Sequence, residues 1–86
     1  MTYALQFKPS AIKQLENLSR DVQKRIAAKI EALRDDPFPE RSKKLSGVPD
    51  TWRIRIGDYR VIYQLHRGIL LVLVLTVGHR REVYRN

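Results

Sequence analysis

The stretch from Trp52 to Tyr63 places the strongest constraint on how this chain of 86 residues folds. Apolar and polar side chains alternate on both sides of Gly57-Asp58, a pair typical of a tight β-hairpin turn. Because side chains in a strand alternate between the two faces of a sheet, a turn centred on this pair places six apolar or aromatic residues on one face. Across the hairpin they pair as Ile56 with Tyr59, Ile54 with Val61, and Trp52 with Tyr63.

The opposite face of the predicted hairpin carries Arg53, Arg55 and Arg60, with Arg55 directly across from Arg60. Like charges that face each other across a pair of strands destabilise a sheet by about 0.2–1 kcal/mol. Such an arrangement is explained by an anionic ligand that lies between the guanidinium groups. We therefore expect the functional site on this face.

The charge of the whole chain agrees with an anionic ligand. There are 17 Lys and Arg against 9 Asp and Glu, a net charge of +8 at pH 7, which points to nucleic acid, an acidic protein, or both in turn. Lys occurs no later than position 44, and from Arg53 onward every basic side chain other than His is Arg. The Arg side chain matches phosphate with two parallel donors. A further basic cluster, Arg41, Lys43 and Lys44, either extends this surface or belongs to a solvated loop.

Several classes of protein are disfavoured by what the sequence lacks. The absence of Cys rules out disulfides and thiolate metal sites. No signal peptide is evident at the N-terminus. The longest apolar run, Ile69 to Leu75, is too short to span a bilayer. We expect one domain over residues 1–86, located in the cytoplasm, without contact with a membrane.

The remaining elements predict an α+β fold. A short strand over 2–7 is followed by a helix that begins near Pro9 and by a second helix that Ser19 caps. A connection without periodicity covers 38–50, and an apolar strand over 69–75 is expected to be central and covered on both faces. We expect the N-terminal strand and the two-helix hairpin to pack on an antiparallel sheet of about four strands. The second helix carries an apolar stripe of Val22, Ile26, Ile30 and Leu33.

No conventional catalytic motif is present. The carboxylates are scattered and the two histidines lie far apart, so neither a metal site nor a catalytic triad can be assembled, and no phosphate-binding glycine loop is found. A ribonuclease that works without metal or another cofactor remains, because RNA supplies its own nucleophile in the 2′-OH. Tyr84 and His79 are candidates for proton transfer, whereas His66, beside a turn, is more readily explained as a bystander.

Five short motifs in the chain are informative when they are taken together. They are Lys44-Leu-Ser-Gly47, Trp52-Arg-Ile-Arg-Ile56, Tyr59-Arg-Val-Ile-Tyr-Gln64, Val77-Gly-His-Arg80 and Glu82-Val-Tyr84. This ordered set resembles the RelE branch of the RelE/ParE toxin superfamily. The resemblance implies a RelE-like fold and a toxin that enters the ribosomal A site and cleaves mRNA there by metal-free 2′-OH attack. It also implies a cognate antitoxin protein as partner, in addition to the ribosome with its mRNA.

The resemblance also assigns residues to the site. Arg53 and Arg55 stand where several RelE toxins have lysines, so here they would hold phosphate, because Arg does not exchange protons readily. Proton transfer then falls to Tyr84 or His79. The candidate catalytic residues are Arg53, Arg55, Arg60, Arg80, Tyr84 and His79, and the candidate RNA-binding residues are Lys43, Lys44 and Arg81.

Two other functions stay open on the sequence alone. One is the ParE-like branch of the same superfamily, whose members inhibit DNA gyrase without nuclease activity. The other is a plain RNA-binding module, which exposed aromatic residues for base stacking would favour.

Overall fold

A computed structural model describes residues 2–79 of the chain, so the candidate residues Arg80, Arg81 and Tyr84 lie outside the described part. A short 3₁₀ turn, Arg67–Ile69, separates the last two strands. The strands and helices in chain order are β1 (Ala4–Phe7), α1 (Pro9–Glu16), α2 (Arg20–Ala32), β2 (Lys43–Lys44), β3 (Thr51–Ile56), β4 (Tyr59–His66) and β5 (Leu71–His79).

The strands form one five-stranded mixed sheet in the order β1-β5-β4-β3-β2. The predicted α+β fold is confirmed, and two details differ from the expected sheet of about four antiparallel strands. Strand β2 lies in the stretch expected to be a loop, where two lysines give no apolar alternation. Strand β1 pairs with β5 in parallel. This direction is possible because the two strands are far apart in the sequence and are not joined by a hairpin, which would make them antiparallel.

The predicted register of the β3–β4 hairpin is confirmed. Ile56 pairs with Tyr59, Ile54 with Val61, and Trp52 with Tyr63, while Arg55 lies opposite Arg60. Gly57 has a φ of 61°, a conformation that glycine adopts without strain.

The helices cover the apolar face of the hairpin, as predicted. In α2, Ile26, Ile30 and the residue after its end, Leu33, are at most 1% exposed. They share one core with Ile54 and the other inward residues of the sheet, and Trp52 and Tyr59 pack against this core while only partly buried. Ser19 caps α2, its side chain accepting a hydrogen bond from the Val22 amide at 3.4 Å.

Strand β5 is central, as predicted, but it is not buried equally on its two faces. Val72 and Val74 are buried towards the helices, whereas Leu71 and Leu73, which point the other way, are only partly buried. The strand also begins later than predicted, because the chain turns over Arg67–Ile69 before entering it.

Helix α1 holds the end of β5. Strand β1 pairs with β5 only as far as Val74, so within residues 2–79 no strand pairs with the next residues of β5 on that side. The Val77 amide there donates to Oε1 of Gln14 in α1 at 2.9 Å. A helix side chain thus satisfies a backbone donor where β1 ends, immediately before Gly78 and His79.

Tyr63 anchors the start of the long connection between α2 and β3. Its hydroxyl donates to the Pro37 carbonyl at 2.7 Å, and the residue is fully buried. Burial raises the pKa of Tyr63 to about 12, so its hydroxyl remains a protonated donor at neutral pH.

Asp50 anchors the other end of the same connection. Its carboxylate accepts from Arg67 Nε at 2.7 Å, from Arg67 Nη2 at 3.0 Å and from Trp52 Nε1 at 3.0 Å. The hydrogen bond from Arg67, assisted by that from Trp52, lowers the pKa of Asp50 to about 2. The centres of the Phe38 and Trp52 rings lie 4.8 Å apart. The Arg67 guanidinium lies over the Phe38 ring, 4.9 Å from the centre of that ring.

Replacing Tyr63 with Phe is expected to lower the free energy of unfolding by about 1–3 kcal/mol, because the buried Pro37 carbonyl loses its donor. Urea denaturation followed by circular dichroism measures this. Tyr59→Phe, at a partly buried position, is the control and is expected to change stability less. Equal stability of the Tyr63→Phe variant and the wild type would contradict the anchoring role.

Replacing Asp50 with Asn is expected to lower the melting temperature at pH 7. This loss of melting temperature is expected to become smaller as the pH falls. The pKa in the folded state, about 2, lies below the value of about 3.9 in an unfolded chain. The charged carboxylate therefore stabilises the fold above about pH 4, and this contribution is lost as the pH falls through the folded pKa. Thermal melts between pH 7 and pH 2 test this. Asp58→Asn, in the exposed hairpin turn, is the control. A difference in melting temperature between Asp50→Asn and the wild type that does not vary with pH would contradict the proposed link between the Asp50 charge and stability.

Candidate nucleic-acid interface

Basic residues from three strands share the sheet face that points away from the helices. Arg55 pairs with Arg60 across β3 and β4, and Lys43 of β2 pairs with Arg53. Since directly opposed residues point to the same side of a sheet, all four side chains lie on one face. The predicted clustering of the three hairpin arginines is thus present, and the short edge strand β2 adds a lysine to it.

The solvent exposure of these three arginines differs from the prediction. We expected all three to lie on an open surface, but only Arg55 is exposed, Arg53 is half-buried, and Arg60 is 4% exposed. Arg60 lies between Arg55 on one side and Gly78 on the other. Gly78 has no side chain to occupy the space beside the guanidinium. Alternation along a strand determines the face of a residue and not how deeply its side chain lies.

Arg41, Lys43, Arg53 and Arg55 line one cleft of about 320 Å³, named here the basic cleft. Arg41 comes from the connection between α2 and β3, and it was absent from the site residues that the motifs assigned. The signal for it was the basic cluster Arg41, Lys43 and Lys44. Lys44 itself does not line the cleft, because it pairs with Trp52 and so points to the other face.

The electrostatics of the basic cleft favour a phosphate group. Four cations converge on one space, and each raises the energy of the others when no anion is present. Guanidinium groups donate two parallel hydrogen bonds to a phosphate, which fits three arginines better than a generic solvated surface does.

A second depression, the side groove, adjoins the basic cleft. It has a volume of about 450 Å³ and lies between α2, the connection over 36–41 and the turn end of β3. Arg41 and Arg55 line both depressions, so they form the boundary between them.

The structure places His79 apart from the arginines. His79 pairs with Tyr59, and their rings make an edge contact with centroids 5.7 Å apart. Because Tyr59 and Arg60 are consecutive in β4, His79 and Arg60 point to opposite faces of the sheet. His66 is exposed at the far end of β4.

The described residues contain neither a metal-binding cluster nor a membrane-spanning helix. Between residues 2 and 79, no three His, Cys, Asp or Glu side chains come together as a metal site would require. In the same range, neither helix has the length and apolar character needed to cross a membrane.

Comparison with known proteins agrees with the geometry. A family model described as the ParE toxin of the type II toxin–antitoxin system parDE matches residues 5–84. The mRNA interferase toxin RelE of Escherichia coli K12 is 33% identical over an alignment of 88 residues, which covers 98% of this chain and 92% of the relative.

Solved structures show the same fold. The archaeal RelE–RelB complex from Pyrococcus horikoshii OT3 superposes with a TM-score of 0.82 at 28% identity, covering 100% of both chains. The intact E. coli RelBE toxin–antitoxin complex gives a TM-score of 0.80 at 30% identity, covering 90% of this chain and 95% of that one. The chain therefore belongs to the RelE/ParE superfamily of type II toxin–antitoxin systems and is a toxin of the RelE type, as its motifs predicted.

Proposed function

We propose that this chain is a cytoplasmic toxin that acts as a single domain over residues 1–86 and cleaves mRNA in the ribosomal A site without a metal ion. The observation that supports this most is the basic cleft, in which Arg41, Lys43, Arg53 and Arg55 converge. A cleft lined by cations from two strands and a loop suits the backbone of a single RNA strand. The relative from E. coli that is 33% identical is named an mRNA interferase.

The proposed reaction uses the 2′-OH of the RNA. The 2′-oxygen forms a bond to the adjacent phosphorus while the bond from phosphorus to the next 5′-oxygen breaks, which gives a 2′,3′-cyclic phosphate and a 5′-hydroxyl. Negative charge builds up on the phosphoryl oxygens during this step. Fixed cations near those oxygens lower the barrier without any reorganisation. The 2′-proton passes to a base, and the leaving oxygen receives a proton from an acid.

The arginines have the role of charge stabilisers in this proposal. Arg53 and Arg55 hold the scissile phosphate in the basic cleft, and Arg60, enclosed beside Arg55, stabilises the charge that develops. Arg80 follows β5 at the end where Gly78 lies opposite Arg60 in the sheet, and we assign it the same role.

Proton transfer needs a group other than arginine, since the pKa of Arg exceeds about 12. Tyr84 is our candidate. His79, the alternative on the sequence, points to the face of the sheet that Arg60 does not share, so direct transfer at the phosphate is a less suitable role for it. Lys43 and Arg81 extend the RNA contact. Lys44 points to the other face of the sheet and would meet RNA only where the strand passes around the edge strand β2.

We further propose that an antitoxin with an acidic and amphipathic segment covers the arginine face. Beside the basic cleft, the open face of the sheet presents partly buried apolar side chains, among them Ile62, Leu71 and Leu73. A segment with acidic residues at one end and apolar residues along one side matches both parts of this face. The RelE–RelB and RelBE structures are complexes of toxin with antitoxin.

A second candidate function is inhibition of DNA gyrase in the manner of ParE. The observation in its favour is the family model that matches residues 5–84, which is described as a ParE toxin. A gyrase supercoiling assay separates the two candidates.

Purified protein added to ribosomes with mRNA in the A site is expected to cut the message inside the A-site codon. Arg55→Ala is expected to lower the cleavage rate by about 10²–10³-fold, as loss of a charge stabiliser does. Primer extension on the message measures the cuts. Arg20→Ala, at an exposed position outside the basic cleft and the side groove, is the control and should cut at the wild-type rate. Intact message together with inhibited supercoiling would replace the nuclease proposal with the gyrase one.

Expression of the chain alone is expected to stop the growth of a bacterial host, and co-expression of the cognate antitoxin is expected to restore it. The double variant Arg53→Ala/Arg55→Ala should permit growth without the antitoxin, because it removes two of the four cations of the basic cleft. Colony counts after induction measure this. Arrest of growth by the double variant, expressed at the wild-type level, would show that toxicity does not depend on the cleft.

A further inference from the structure

The side groove is built differently from the basic cleft. Three buried apolar residues, Leu33, Ile54 and Ile56, lie in its lining. Arg25 and Lys29 of α2 stand on one side, and Asp36 and Glu40 belong to the connection on the other. Its volume of about 450 Å³ falls in the range of about 300–1,000 Å³ that is typical of small-molecule sites.

The groove is open because β2 is short. Within the described chain, β2 pairs with Trp52 and Arg53 only, so the edge of β3 from Ile54 to Ile56 runs along the groove instead of against another strand. At the turn, Arg25 lies over the hairpin, and a Cβ atom on Gly57 would stand 3.8 Å from its Nη1. The groove thus has a fixed floor and a cationic wall.

The groove adjoins the basic cleft. Arg41 and Arg55 line both, so a ligand bound against these two residues can extend from one space into the other. In a single RNA strand, each phosphate is adjacent to a base that can turn away from its neighbours. Unstacked bases are recognised by stacking on aromatic or guanidinium planes and by hydrogen bonds along their edges. The four cations of the groove outnumber its two carboxylates, so a polyanion is still attracted to it.

We propose that the side groove binds one nucleobase of the RNA whose phosphate occupies the basic cleft, and that Glu40 makes it prefer bases with an exocyclic amino group to uracil. This inference rests on the proposed function, because it takes the phosphate to be that of RNA. An ionised carboxylate only accepts hydrogen bonds. Cytosine, adenine and guanine offer amino donors, whereas the N3–H of uracil is flanked by two carbonyl oxygens that repel the second carboxylate oxygen.

Glu40 is the carboxylate to test. Asp36 already has a structural role, because its Oδ1 accepts a hydrogen bond from the Phe38 amide at 3.1 Å. Glu40 is exposed at the rim, next in sequence to Arg41. A guanidinium for stacking and a carboxylate for the base edge therefore come from consecutive residues.

The test compares programmed ribosomes whose A-site codons differ only by cytosine or uracil at one position, for each of the three codon positions in turn. Wild-type protein is expected to cut the cytosine codon about fivefold faster or more at one of these positions, the lower end of the discrimination given by a direct base contact. Glu40→Gln, whose amide also donates, is expected to reduce this ratio to about one, mainly by faster cutting of the uracil codon. Glu16→Gln, exposed on α1 away from the groove, is the control and should keep the wild-type ratio.

A binding measurement without ribosomes keeps the inference separate from the proposed function. In the ¹H–¹⁵N spectrum of the free protein, cytidine 5′-monophosphate is expected to shift the amides of Ile54, Ile56 and Gly57 more than uridine 5′-monophosphate does. Glu40→Gln should remove the difference. If no message is cut, the nuclease proposal fails, and this titration alone decides the groove. Equal shifts with both nucleotides, or a codon ratio that Glu40→Gln leaves unchanged, would overturn the inference.

Discussion

The register of the β3–β4 hairpin is the constraint on which the rest of the site depends. It places Arg55 opposite Arg60 and leaves Arg53 to pair with Lys43 on the other side of β3. A slip of one residue would turn these side chains into the helix face and the apolar ones out. Burial of Ile54 and Ile56 under α2 excludes that slip. The same alternation therefore builds the core and positions the cations.

The core is strong enough to tolerate this concentration of charge. Two like-charged pairs, Arg55 with Arg60 and Lys43 with Arg53, each cost about 0.2–1 kcal/mol. A fully buried Ile or Val side chain contributes about 1.5–3 kcal/mol, and Ile54 alone offsets at least one pair. Burial of the apolar face thus outweighs the repulsion between the cations on the other face. The connection that carries Arg41 stays in place because Tyr63 holds one end of it and Asp50 the other.

Much of the fold could be predicted from the sequence, because the hairpin turn and the periods of two and of about four residues are local signals. The hairpin register, the cap at Ser19 and the helix face followed from them. Strand β2 could not be predicted, since a pair of lysines has no alternation and pairs only because β3 offers an edge. The parallel pairing of β1 depends on an element far along the chain.

The candidate site could be predicted in outline for the same reason. Alternation predicted the shared face of the arginines, but it did not predict the burial of Arg60, which lies opposite Gly78 in the sheet. Arg41 joins the basic cleft through the path of a connection without periodicity, which no sequence period describes. The side groove exists because β2 stops after two residues.

The proposed chemistry separates fixed charge from proton transfer, and the fold offers a physical reason. Charge stabilisation needs rigid cations, and paired strands with one buried face hold them rigidly. Proton transfer needs a group whose pKa lies nearer neutrality than that of Arg, and the only described candidate at the end of β5, His79, points to the other face of the sheet. The chain leaves β5 beside Arg60, and Gln14 fixes the backbone at Val77 just before that point. In this proposal the hairpin therefore supplies the charge, and the residues that follow β5 in sequence, Arg80 and Tyr84 among them, complete the reaction.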